Sequence, residues 1–220
     1  ALEHYNDRIQ NRRNTLPSLA NLAKLQHNPA EAELLEKAAT PVAYLEEFSN
    51  TDQQFIRRVL DIIISGQTLD IQRFSNANSN SIVSLNKEEE LNDYTYRVAG
   101  CVGEFWTQIS LNHLFEVHAA KEAQLFENAV LFGKALQLIN ILRDLPEDLR
   151  SGRCYIPSTV LAEHNLKPKD LLRQESMVYF QPIYNSYLKK TVDYFNAAAA
   201  YIDMLPYSQF RMRGACTLPV

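Results

Sequence analysis

The 220-residue chain is 46% hydrophobic and 22% charged, which suits a globular protein with one sizeable core. Its net charge of −4 argues against a nucleic-acid partner, which normally meets a basic face. Cys101, Cys154 and Cys216 are odd in number, widely spaced and without C-x-x-C, so neither a disulfide framework nor a zinc site is indicated, and no run approaches the roughly 18 consecutive apolar residues of a membrane span.

Helical periodicity predicts helices over 2–26, 29–48, 52–74, 87–117, 119–149, 176–204 and 208–220. Asn28-Pro29-Ala30-Glu31 joins an N-cap, a proline at the first helical position and a capping-box glutamate; Thr51 with Gln54, and Asn86 with Glu89, repeat that logic. Ser75–Leu85, rich in Ser and Asn, reads as a long loop, and a second irregular stretch runs from Arg150 to about Pro168. No alternating strand pattern, internal repeat or low-complexity tract is evident. The expectation is an all-α, single-domain helical bundle in a reducing, cytoplasmic setting, with peripheral membrane contact left open.

The most informative stretch runs from Gly133 to Pro157. At about 100° per residue, Gln137, Asn140, Asp144 and Asp148 fall in one narrow helical stripe, while Ala135, Leu136, Leu138, Ile139, Ile141 and Leu142 fill the rest. A helix apolar nearly all round belongs inside a protein, and buried carboxylates need partners. Two kinds of partner meet that need: protein cations, or a metal with an anionic ligand. Carboxylates one turn apart suit a hard cation such as Mg2+, which takes oxygen ligands and bridges readily to phosphate, with Arg143, Arg150 and Arg153 near in sequence for the remaining phosphate oxygens. Pro146 is expected to kink the helix or loosen its last turn, leaving open whether Glu147 or Asp148 faces the metal. The five histidines show no H-x-x-x-H spacing and are not assigned to metal.

Other residues carry two readings. Tyr94, Val98, Val102 and Phe105 form an apolar and aromatic stripe that either lines a hydrocarbon cavity or packs in the core. Gly100 and Gly103 point to close approach of a helix or a ligand. Trp106 is most simply core. Asp70 with Arg73 reads first as an intrahelical ion pair.

These residues resemble the squalene and phytoene synthase family. Gln137, Asn140, Arg143, Asp144 and Asp148, followed by Gly152, Arg153, Tyr155 and Pro157, match its second aspartate-rich motif, Q-x-x-N-x-x-R-D-x-x-x-D then G-R-x-Y-x-P. Tyr94 to Glu104 is similar to its Y-x-x-x-V-A-G-x-V-G element, and Ser65 to Ile71 to its G-x-x-x-D helix. The resemblance implies an isoprenoid-synthase bundle around an apolar cavity, in which Asp144 and Asp148, with Glu147, hold Mg2+. Gln137, Asn140, Arg143, Arg153 and Tyr155 bind substrate, Val98 shapes the pocket, Asp70 lies on the cavity wall, and Tyr94 steadies cationic intermediates.

The implied reaction is head-to-head condensation of two farnesyl diphosphates through presqualene diphosphate to squalene, with phytoene or dehydrosqualene synthesis as the alternative. NADPH rests on the resemblance alone, since no G-x-G-x-x-G is present. The family's first aspartate-rich motif has no counterpart here: Asp7, Asp52 and Asp61 are isolated. The expectation is therefore a central portion of a longer protein, short of N-terminal helices bearing that motif and of C-terminal helices, with little turnover by itself. A catalytically lapsed homologue binding a prenyl lipid or a partner protein is the rival, and a structural bundle whose acidic stripe pairs with internal arginines is a third reading.

Overall fold

The computed structural model describes residues 2–16 and 18–217. They are overwhelmingly helical, and the chain parts into two compact units, Ala1–Thr68 and Leu69–Val220.

The first unit holds α1 (Leu2–Ile9), α2 (Ala20–Ala23), α3 (Pro29–Glu36), α4 (Ala39–Tyr44) and most of α5 (Asn50–Arg73). The helix expected over 2–26 ends early, where Asn11 takes φ 57° and the Arg12 amide turns back to the Asp7 carbonyl. The one expected over 29–48 breaks between α3 and α4, because Pro41 in the first turn of α4 has no N–H for the preceding turn. Asn28 does cap α3, its Oδ1 accepting from the Ala30 amide at 3.0 Å. At the start of α5 the cap is Ser49 rather than Thr51, with Oγ accepting from the Asp52 amide and donating to the Asp52 carboxylate. Ile9, Val42, Leu45 and Ile64 form this unit's core.

The second unit holds the last turn of α5, then α6 (Glu88–Thr95), α7 (Cys101–His113), α8 (Ala119–Ser151), α9 (Ser158–Glu163), α10 (Met177–Met204) and α11 (Phe210–Thr217). A single turn of π-helix, Tyr96–Gly100, joins α6 to α7 inside the helix expected over 87–117. The expected 119–149 and 176–204 helices are α8 and α10, while 218–220 of the last expected helix lie outside the described residues. Helix α8 continues through Pro146 to Ser151. It is long and apolar enough to cross a membrane, yet half of its apolar window is buried against other helices, as in a core helix. It packs between α10 and the α7 segment. The α7 contact is backbone against backbone: a Cβ at Gly103 would overlap the Ala129 carbonyl oxygen, and one at Gly133 the Ala99 carbonyl oxygen. The glycines at 100 and 103 therefore admit a neighbouring helix.

One short strand pair went unseen in the sequence. β1 (Val83–Ser84) lies parallel to β2 (Arg153–Cys154), with Val83 opposite Arg153 and Ser84 opposite Cys154. It ties the end of the Ser/Asn-rich loop to the segment leaving α8, which turns at Gly152 with φ 89°.

Candidate active site

The C-terminal half of α8 buries Leu138, Ile141, Leu142, Leu145 and Leu149, and leaves Gln137, Asn140, Asp144 and Asp148 half-buried on an adjoining strip. The expected stripe is present, but the helix is not apolar all round: Ile139 is 42% exposed, and Arg143 and Glu147 face solvent. Its period alone could not separate a buried helix from one with a third, open face.

The two aspartates live differently. Asp144 is held by Arg143, whose Nε and Nη2 donate to its two carboxylate oxygens at 2.7 and 2.8 Å; that hydrogen bonding keeps its pKa below the usual carboxylate value. Asp148 is half-buried, and loss of hydration pushes its pKa up to about 6, with Arg153 opposing and Asp144, Asp70 and Glu147 adding repulsion. Four carboxylates thus share one region, contributed by α8 and the end of α5.

The strand pair delivers Arg153 and Tyr155 to the same region. Tyr155, 6% exposed, donates its hydroxyl to Asp70 at 3.2 Å. Its ring stacks on Tyr94 with centroids 4.7 Å apart and an interplanar angle of 22°, and meets the edge of Phe74 at 5.2 Å. Arg153 lies over the Phe74 ring, 3.8 Å from an Asp70 oxygen. Burial raises the pKa of Asp70, Tyr94 and Tyr155, so both phenols stay protonated at neutral pH. Asp70, read first as a partner of Arg73, is in fact the acceptor that anchors Tyr155. The sequence offered no hint of Phe74.

Below this polar group lies an apolar cavity of about 380 Å3, lined by Val98, Val102, Trp106, Phe132, Leu136 and Cys216 among others. Val98 is therefore a lining residue, as expected. Trp106 is not simply core: it is 44% exposed and faces the cavity. Gln137 directly follows the lining residue Leu136, so α8 carries cavity wall and acidic strip on one rod, about 18 Å from Leu136 to Asp148.

Among the described residues no three His, Cys, Asp or Glu side chains converge to hold a metal by themselves. Mg2+ does not ask for that, since it commonly takes one or two carboxylates and completes its shell with phosphate oxygens and water. The mutual repulsion around Asp148 is what a cation would relieve, so the donor set fits Mg2+, with Asp144, Asp148 and Glu147 as its holders.

A family model described as squalene/phytoene synthase matches residues 1–220. The phytoene synthase of Thermus thermophilus is 42% identical over 89 residues, 40% of this chain and 28% of that protein. The bifunctional lycopene cyclase/phytoene synthase of Colletotrichum graminicola is 31% identical over 129 residues, 58% of this chain and 22% of that protein. The matched segments thus span about a quarter of those relatives' length. In fold, the chain resembles the crystal structure of a squalene synthase from Alicyclobacillus acidocaldarius, with TM-score 0.63 and 16% identity over 99% of this chain and 67% of that one.

Proposed function

The chain belongs to the squalene/phytoene synthase family, and from that premise we propose that its site condenses two prenyl diphosphates head to head. One observation carries the reading: a half-buried carboxylate group and an apolar cavity lie along the same helix, with the Tyr94–Tyr155 stack beside the carboxylates.

Asp144 and Asp148, with Glu147, would hold Mg2+, which when bound supplies positive charge to a departing diphosphate. Arg143 and Arg153 donate to phosphate oxygens, Arg143 sharing its fork with Asp144. Gln137 and Asn140 stand between the phosphate end and the cavity and orient the substrate. The cavity takes the hydrocarbon tail and keeps water from the allylic cation left by ionisation. The electron-rich Tyr94 ring, held against Tyr155, steadies that cation until the second substrate's double bond attacks it. Asp70 fixes Tyr155 and so, through the stack, Tyr94.

For the substrate and ending, the names of the relatives favour phytoene, and hence loss of a proton without a hydride donor. Squalene from farnesyl diphosphate is the second reading, favoured by the wording R-V-A-G-C-V-G-E-F-W-T around the Tyr94 helix. The deciding experiment incubates the protein with farnesyl or geranylgeranyl diphosphate and Mg2+, with and without NADPH, beside Asp144→Asn. Phytoene from the longer substrate without NADPH, lost in the variant, supports the first reading; squalene only with NADPH supports the second. No condensation product from either would leave the lapsed lipid-binding homologue.

A further inference from the structure

Arg73 stands in the last turn of α5, one turn beyond Asp70. A basic residue there is ordinary, because it favours the helix dipole. A buried donor without an acceptor is not ordinary, and Arg73 Nη1 is buried with no hydrogen-bond partner. A guanidinium stays charged at any working pH and carries five donors in a rigid fork, so the missing acceptor is one that arrives from outside.

The neighbours say what kind. Asp70 attracts both Arg73 and Arg153, yet its two oxygens accept from the Tyr155 hydroxyl. Arg153 stays 3.8 Å away, beyond hydrogen-bonding distance, with its plane over Phe74. Two guanidinium groups, one from α5 and one from β2, therefore stand about a single carboxylate with their donors largely unused. A phosphoryl group has the oxygens to accept from both, and paired arginines are the usual way to hold one. We propose that Arg73 and Arg153 together clamp a phosphoryl group of the prenyl diphosphate, Asp70 keeping both in place until it arrives. This rests on the diphosphate reading above and adds Arg73, on a different helix from the aspartates, to the residues that bind it.

Inorganic pyrophosphate with Mg2+ is the probe, titrated calorimetrically into the protein, Arg73→Gln, Arg73→Lys, Arg153→Gln and, as a distant control, Lys121→Gln. The clamp predicts at least tenfold weaker binding in Arg73→Gln and Arg153→Gln, with their double variant losing less than the product of the two, and no change in Lys121→Gln. Arg73→Lys keeps the charge without the fork and should bind several-fold more weakly than the parent at an unchanged melting temperature. Binding by Arg73→Gln within twofold of the parent overturns the proposal. If Arg73→Gln does not fold, Arg73→Lys decides, and parental affinity in that variant overturns it equally. A parent protein that binds no pyrophosphate overturns the diphosphate reading itself, and the clamp with it.

Discussion

Tyr155 donates its hydroxyl to Asp70 at 3.2 Å, joining residues 85 positions apart. With the Tyr94 stack on its other side, this contact makes one rigid unit from the ends of α5, α6 and α8. Tyr155→Phe removes the donor and leaves a buried carboxylate short of a partner. The expected cost is about 1–2 kcal/mol in urea unfolding, together with a fall in kcat if Tyr94 is thereby loosened. Unchanged stability and turnover would show that Asp70 and Tyr155 do not depend on each other.

Asp148 should make the metal-free protein sensitive to pH. Its folded pKa, about 6, lies above that of an unfolded aspartate, so the fold prefers the protonated carboxyl. That contribution is fully present below about pH 4 and is lost as pH rises through 6. Asp148→Asn, which mimics the protonated form, is expected to stabilise the metal-free protein at pH 8 by about 1 kcal/mol, after allowance for screening of a half-exposed group. At pH 4 it should do nothing. The same variant should lose the stabilisation that Mg2+ and pyrophosphate give the parent; denaturant curves at the two pH values, with and without ligand, test both halves.

Asp144→Asn should behave in the opposite way. Its partner Arg143 is exposed, and such pairs add little to stability, so the melting temperature should hold while prenyl transfer falls by at least a hundredfold. A variant as active as the parent would remove Asp144 from the metal-binding role. A loss of stability without any loss of Mg2+ response would favour the structural-bundle reading.

Gly133→Ala tests the helix contact behind the cavity. Because the new methyl would strike the Ala99 carbonyl, α8 and the π-helical turn must move apart, at a cost of about 1–3 kcal/mol, and Val98 should move with the turn. Gly214→Ala, which meets nothing nearby, is the control. Equal melting temperatures for the two variants would mean that the backbones are not in close contact.

Much of this was legible from the order of residues alone. The all-helical class, the long α8 and α10, the Asn28 cap and the strip Gln137–Asn140–Asp144–Asp148 follow from local rules, since helix period and capping act within a few positions along the chain. Val98 could be placed on a possible cavity stripe for the same reason. What stayed ambiguous was each side chain's partner. Asp70 had Arg73 one turn away in sequence, and only the fold brings Tyr155 to its oxygens. Trp106 looked like core because aromatic residues usually are, and only the space left between α7, α8 and α11 makes it a wall.

The sequence by itself determined which helices form and which of their faces carry carboxylates, because those properties belong to neighbours along the chain. The tertiary structure alone decided that a two-residue strand pair would swing Arg153 and Tyr155 onto the end of α5. It also decided that Asp148 would lose enough water and gain enough like charge to titrate near 6, while Asp144, one turn away, would stay ionised in the grip of Arg143. Hydration and charge depend on everything within several ångströms, whatever its position in the chain, and that neighbourhood exists only once the helices have packed.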